Sequence, residues 1–96
     1  MKLYELLMDI KTRYSNIDLT LEINDIISDS RNINKGDVFV AIKGEKRDGN
    51  NYIDEAIEKG AVAIVSDQKH IRTDIPLIYV KNSREALAKM WKFFFP

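Results

Sequence analysis

Two five-residue runs, Val38-Phe39-Val40-Ala41-Ile42 and Ala61-Val62-Ala63-Ile64-Val65, contain no polar side chain. A strand with one face in water alternates, so an unbroken apolar run suits a strand buried on both faces. Parallel neighbours of that kind need a crossover of about a dozen or more residues. The spacer between the runs is long enough and carries a helical pattern. Ile53, Ala56 and Ile57 share a face, Asp54 and Glu55 sit in the first turn, Asn51 is placed as N-cap and Gly60 as stop. Residues 38–65 therefore predict a strand–loop–helix–strand unit with parallel pairing and a right-handed crossover.

The flanks extend this unit. Leu3, Leu6, Leu7 and Ile10, with Tyr14 a turn later, predict an amphipathic helix over residues 2–14. Ile17, Leu19, Leu21 and Ile23 alternate with polar residues and predict a half-buried strand. Asn24-Asp25 reads as a turn before a short strand at Ile26-Ile27, and Lys35-Gly36-Asp37 as a turn with a positive-φ glycine. Leu77–Val80 is a further strand, and Asn82 with Glu85 three residues on has capping-box spacing before a last helix striped by Ala86, Leu87, Met90 and Phe94. The fold class is α/β: one small domain with a mixed or mostly parallel sheet and about three helices. Trp91, Phe93, Phe94 and Phe95 cannot all face one core, because neighbours on a helix diverge by roughly 100°. They read as the edge of an interface.

Composition removes most catalytic equipment. The chain has no cysteine, which excludes disulfides, thiolate metal sites and a cysteine nucleophile. Its one histidine, His70, lies in a polar loop and reads as a surface residue. Fifteen Lys and Arg offset fifteen Asp and Glu, so no charge excess favours nucleic acid or an anionic membrane. No apolar run approaches the roughly 20 residues of a membrane span. With no signal-peptide pattern at the N-terminus, the expected location is the cytosol.

Two clusters remain. Gly44-Glu45-Lys46-Arg47-Asp48-Gly49 has the glycine spacing of a P-loop, but Asn50 and Asn51 stand where lysine and a hydroxyl would meet phosphate and magnesium. That excludes an ATP-hydrolysing P-loop. It leaves helix N-terminal amides beside Lys46 and Arg47 as a weak anion site, against the plainer reading of a solvated βα loop. Asp29-Ser30-Arg31 has no base to activate the serine, so Ser30 reads as a hydrogen-bonding group and Asp29 with Arg31 as local polar contacts. Asp54 and Glu55 read as partners of the helix dipole. The residues alone point to an α/β binding domain without a reaction centre.

The ordered blocks Ser28–Arg31, Lys35–Gly44, Asp48-Gly49, Tyr52-Ile53, Ala56-Ile57 and Gly60-Ala61 resemble the N-terminal domain of the Mur ligases of peptidoglycan synthesis. Lys2–Leu7 and Asn82–Ala88 are more similar to the MurE branch than to MurF. The resemblance implies that residues 1–96 are a domain that binds UDP-MurNAc-L-Ala-D-Glu. It implies a parent ligase that adds lysine or diaminopimelate with ATP and Mg2+, both handled by a central domain outside this chain. Catalytic residues and a metal are not expected here, and the chain alone is expected to be inactive. Carried over by position, Ser28, Ser30, Glu45, Lys46 and Arg47 are the implied substrate contacts. Asn50 replaces a histidine common in the family, and Trp91 stands at a position that is often small. The alternatives are the equivalent MurF domain, which serves the D-Ala-D-Ala-adding ligase, and a non-enzymatic stand-alone binding module.

Overall fold

The computed structural model describes residues 1–8, 10, 12–13, 17–69 and 71–94, with only the backbone of residues 12, 13, 93 and 94. The two apolar runs form neighbouring strands, β3 (Val38–Val40) and β4 (Ala63–Ser66), paired in parallel with Val38 opposite Ala63 and Val40 opposite Val65. All seven of these residues are buried, as expected of strands covered on both faces. β2 (Ile26–Ile27) pairs in parallel on the outer side of β3, and β5 (Leu77–Val80) on the outer side of β4. β1 (Thr12–Arg13) closes the far edge antiparallel to β5, giving the order β1-β5-β4-β3-β2. The sheet is thus mixed and mostly parallel.

Helices cover both faces. α1 (Leu3–Leu7) and α3 (Ser83–Phe94) pack together over the side chains of Ile26, Val38, Val40, Val65, Ile78 and Val80. α2 (Ile53–Glu58) covers the other face, where Phe39, Ala41 and Ile64 meet Ile53 and Ala56. The period-two geometry of a strand sends Val38 and Val40 to one layer and Phe39 to the other. Gly60 stops α2 at φ 110° and Gly36 turns the chain at φ 93°. Both glycines take the left-handed conformation that other residues resist.

Three sequence expectations change. The helix expected over residues 2–14 ends at Leu7, because Thr12 and Arg13 are drawn to the edge of β5 opposite Val80 and Tyr79. Residues 17–23 keep the expected alternation, with Ile17, Leu19, Leu21 and Ile23 more buried than Asp18, Thr20 and Glu22, but they are not a ladder strand. Their carbonyls serve α1 instead: Leu3 N–H donates to Leu21 O and Tyr4 N–H to Leu19 O, both at 2.9 Å. These are donors that a helix N-terminus leaves unsatisfied. Asn24-Asp25 does not form the expected turn; instead Asn24 N–H donates to Gly36 O at 2.9 Å.

Asn82 caps α3 as expected, its Oδ1 accepting from Glu85 N–H at 3.0 Å, while the Glu85 carboxylate pairs with Lys89 at 3.3 Å. Trp91 is 41% exposed. Tyr14, His70, Phe95, Pro96 and the side chains of Phe93 and Phe94 lie outside the described residues. No helix among the described residues is long and apolar enough to cross a membrane.

Candidate functional site

Parallel strands end on the same side, and in open α/β sheets ligands gather at those carboxyl ends. Here the chain leaves β2 into Ser28-Asp29-Ser30 and leaves β3 through Ala41-Ile42 into the loop 43–48. The two exits enclose a cleft of about 200 Å³ lined by Ser28, Asp29, Ser30, Arg47, Gly49 and Tyr52, with Phe39 and Ile42 as apolar lining.

Each wall is held by an aspartate. Asp29 Oδ1 accepts from Arg31 N–H at 3.0 Å and caps the 3-10 turn Ser30–Asn32, while its carboxylate grips the Arg31 guanidinium at 2.7–3.2 Å. The Arg31 side chain and backbone donors hold the Asp29 carboxyl down at about 2. Asp48 caps a second 3-10 turn, Gly49–Tyr52, by accepting from Asn50 N–H at 2.9 Å and Asn50 Nδ2 at 2.8 Å. This corrects the expected cap: the helical segment begins at Asp48, and Asn51 is exposed within its first turn. Asn50 is a staple, since its Oδ1 accepts from the buried Ser66 Oγ at 2.6 Å at the end of β4.

The weak anion site expected at this helix start is filled from within. Gly44 N–H donates to Arg47 O at 2.7 Å, Gly49 N–H to Ile42 O at 2.8 Å and Asn51 N–H to Asp48 O at 3.0 Å, while Asn50 N–H is taken by Asp48. An aspartate stands where a phosphate would have to sit. The loop therefore fits neither ATP nor its magnesium, and among the described residues no three acidic or histidine side chains cluster to hold a metal.

Of the expected site residues, Ser28, Ser30 and Arg47 come together on the cleft. Glu45 and Lys46 stand exposed at the tip of the turn closed by Gly44 and Arg47, outside the lining. Arg47 lies 4.6 Å over the Tyr52 ring, a cation–π contact that keeps a positive charge at the rim. Ser30 is buried, and its Oγ donates to Glu55 Oε2 at 3.1 Å. Glu55 Oε1 in turn meets Lys59 Nζ at 3.1 Å, and Lys59 Nζ donates to Arg31 O at 3.4 Å. Lys59 and Ser30 hold the Glu55 carboxyl below its usual range. Glu55 thus braces the Ser30 wall as well as facing the helix dipole. Sequence reasoning missed Tyr52 and Glu55 as site residues. Each acts across a turn or between elements, and spacing carries no signal for that.

A family model described as "Mur ligase family, catalytic domain" matches residues 22–95. The chain belongs to the Mur ligase family. Among curated relatives, the UDP-N-acetylmuramoyl-L-alanyl-D-glutamate–2,6-diaminopimelate ligase of Clostridium tetani is 46% identical over 92 residues, 92% of this chain and 19% of the relative. The ligase of the same name from Listeria monocytogenes is 39% identical over 95 residues, 99% of this chain and 19% of its own. This Mur ligase chain therefore spans about a fifth of the length of those relatives. Among solved structures, MurF from Acinetobacter baumannii superposes with a TM-score of 0.81 at 27% identity, covering 93% of this chain and 20% of that one. MurF ligase from Thermotoga maritima in complex with ADP gives 0.63 at 38% identity, covering 73% and 16%.

Proposed function

We propose that residues 1–96 are the UDP-substrate-binding domain of a MurE-type ligase, acting in the bacterial cytosol on UDP-MurNAc-L-Ala-D-Glu. The observation that carries this is the cleft at the ends of β2 and β3, where Ser28, Ser30 and Arg47 converge although Arg47 lies 17 positions after Ser30 in the sequence. Its chemistry suits positioning: hydroxyls, one cation over an aromatic ring and an apolar lining. The kinship with 2,6-diaminopimelate ligases favours 2,6-diaminopimelate as the amino acid added by the parent enzyme. ATP and Mg2+ are assigned to a central domain of that parent, because Asn50 and Asn51 stand where a P-loop has its lysine and hydroxyl, and their amides are already taken by Asp48.

Within this domain the cleft orients and the parent's other domains react. Arg47 would face the diphosphate, Ser28 and Ser30 would meet the nucleoside, and Glu45 and Lys46 would reach the ligand only at the open end. Amide NMR titration of the chain with UDP-MurNAc-L-Ala-D-Glu tests this. Shifts are expected at Ser28, Ser30, Arg47 and Tyr52, with smaller ones at Glu45 and Lys46. Unchanged spectra at millimolar ligand would overturn the assignment. Weak binding is the expected regime, since one domain supplies only part of the contact area.

A further inference from the structure

A serine hydroxyl has one proton and two lone pairs, so what it offers a ligand depends on where that proton goes. At Ser30 the proton is already committed, because Oγ lies 3.1 Å from Glu55 Oε2 and an ionised carboxylate only accepts. Glu55 is itself fixed by Lys59 at 3.1 Å, one helical turn along α2. The ion pair keeps Glu55 charged at neutral pH, in line with its lowered carboxyl. Ser30 is only 4% exposed, yet it lines the cleft. Its remaining capacity there is to accept.

We propose that Glu55 is a positioning residue that sets Ser30 as a hydrogen-bond acceptor, so that the ligand group meeting Ser30 must present an N–H or O–H. The inference rests on the substrate-site reading above and sharpens it. A phosphate oxygen against Ser30 would set acceptor against acceptor, so the diphosphate belongs on the Arg47 side of the cleft. The donors of a uridine nucleotide are its base N3–H and its ribose 2′ and 3′ hydroxyls, and one of these falls to Ser30.

The test uses uridine 5′-diphosphate and its N3-methyl, 2′-O-methyl and 3′-O-methyl forms, each lacking one donor, titrated against the chain by NMR. On the wild type, at least one analogue should bind roughly three- to tenfold more weakly than the parent nucleotide. That ratio should vanish in Ser30→Ala. It should narrow in the isosteric Glu55→Gln, whose amide can donate to Ser30 and free the Ser30 proton for a ligand acceptor. A merely structural Glu55 would weaken all four ligands alike and leave the ratio unchanged. A ligand-free readout accompanies this: in Ser30→Ala the Glu55 carboxyl 13C titration should move up in pH. A ratio unchanged by Glu55→Gln, or a Glu55 titration unmoved by Ser30→Ala, overturns the inference while nucleotide binding persists. No binding of uridine 5′-diphosphate at all overturns the substrate-site reading and the inference with it.

Discussion

Gly49 brings the exit of β3 and the start of the second 3-10 turn into direct backbone contact. A Cβ there would lie 2.7 Å from Ile42 N and 3.0 Å from Ile42 O, atoms that cannot swing aside as a side-chain end could. Gly49→Ala is therefore expected to cost about 1–3 kcal/mol, read as a lower urea midpoint, and to displace Arg47 and Tyr52 from the cleft. Asp29 gives a pH signature. Its carboxyl is lowered from 3.8 to about 2, so its pairing contributes fully above pH 3.8 and is lost as pH falls through 2. Asp29→Asn should lower the thermal midpoint at neutral pH, and the gap to wild type should close between pH 4 and 2. The gap stays below about 1 kcal/mol, because Arg31 is 64% exposed and water screens the pair. At this scale the sequence was readable where a residue acts on its own neighbours, as Asp29 and Arg31 do. It was silent where the partner is 25 residues away, as for Ser30 and Glu55.

Elements divide along the same line. β3 and β4 were legible because burial on both faces favours an unbroken apolar run, which ends in β4 only at Ser66, whose buried hydroxyl is satisfied by Asn50. α3 was legible from its cap and stripe, and Asn82→Ala is expected to cost about 1 kcal/mol in chemical denaturation. Residues 2–14 were misread for a physical reason. The helical period of Leu3, Leu6, Leu7 and Ile10 is real, but Thr12 and Arg13 gain a ladder on β5, and a long-range ladder leaves no trace in local periodicity. Residues 17–23 show the converse. Alternation reports which side chains are buried, and here the backbone that goes with it bonds to α1 rather than to a neighbouring strand.

The whole molecule is a sheet between two small cores, and the cleft shares a wall with one of them. Phe39 is fully buried in the α2 layer and also lines the cleft. A chain of 96 residues has a net stability of about 5–15 kcal/mol at most. Phe39→Ala should remove about 3–5 kcal/mol of it, lowering the melting midpoint by roughly 12–40 °C in calorimetry. At the same scale, the purified chain is expected to turn over no ATP, because Asn50 and Asn51 replace the P-loop lysine and hydroxyl, and the amides of Gly49, Asn50 and Asn51 are held by Ile42 and Asp48. Phosphate release above background on adding ATP and Mg2+ would contradict this.

The sequence by itself determined the parallel βαβ centre, the Gly60 stop of α2 and the Asn82 start of α3, since burial and capping are properties of a position and its near neighbours. Only the tertiary structure decided that Asp48 occupies the helix start that looked open to an anion. It also decided that Arg47 lies on Tyr52 and that Glu55 takes the proton of Ser30. Those contacts depend on where separate elements come to rest, and the chemistry offered by the cleft is set there.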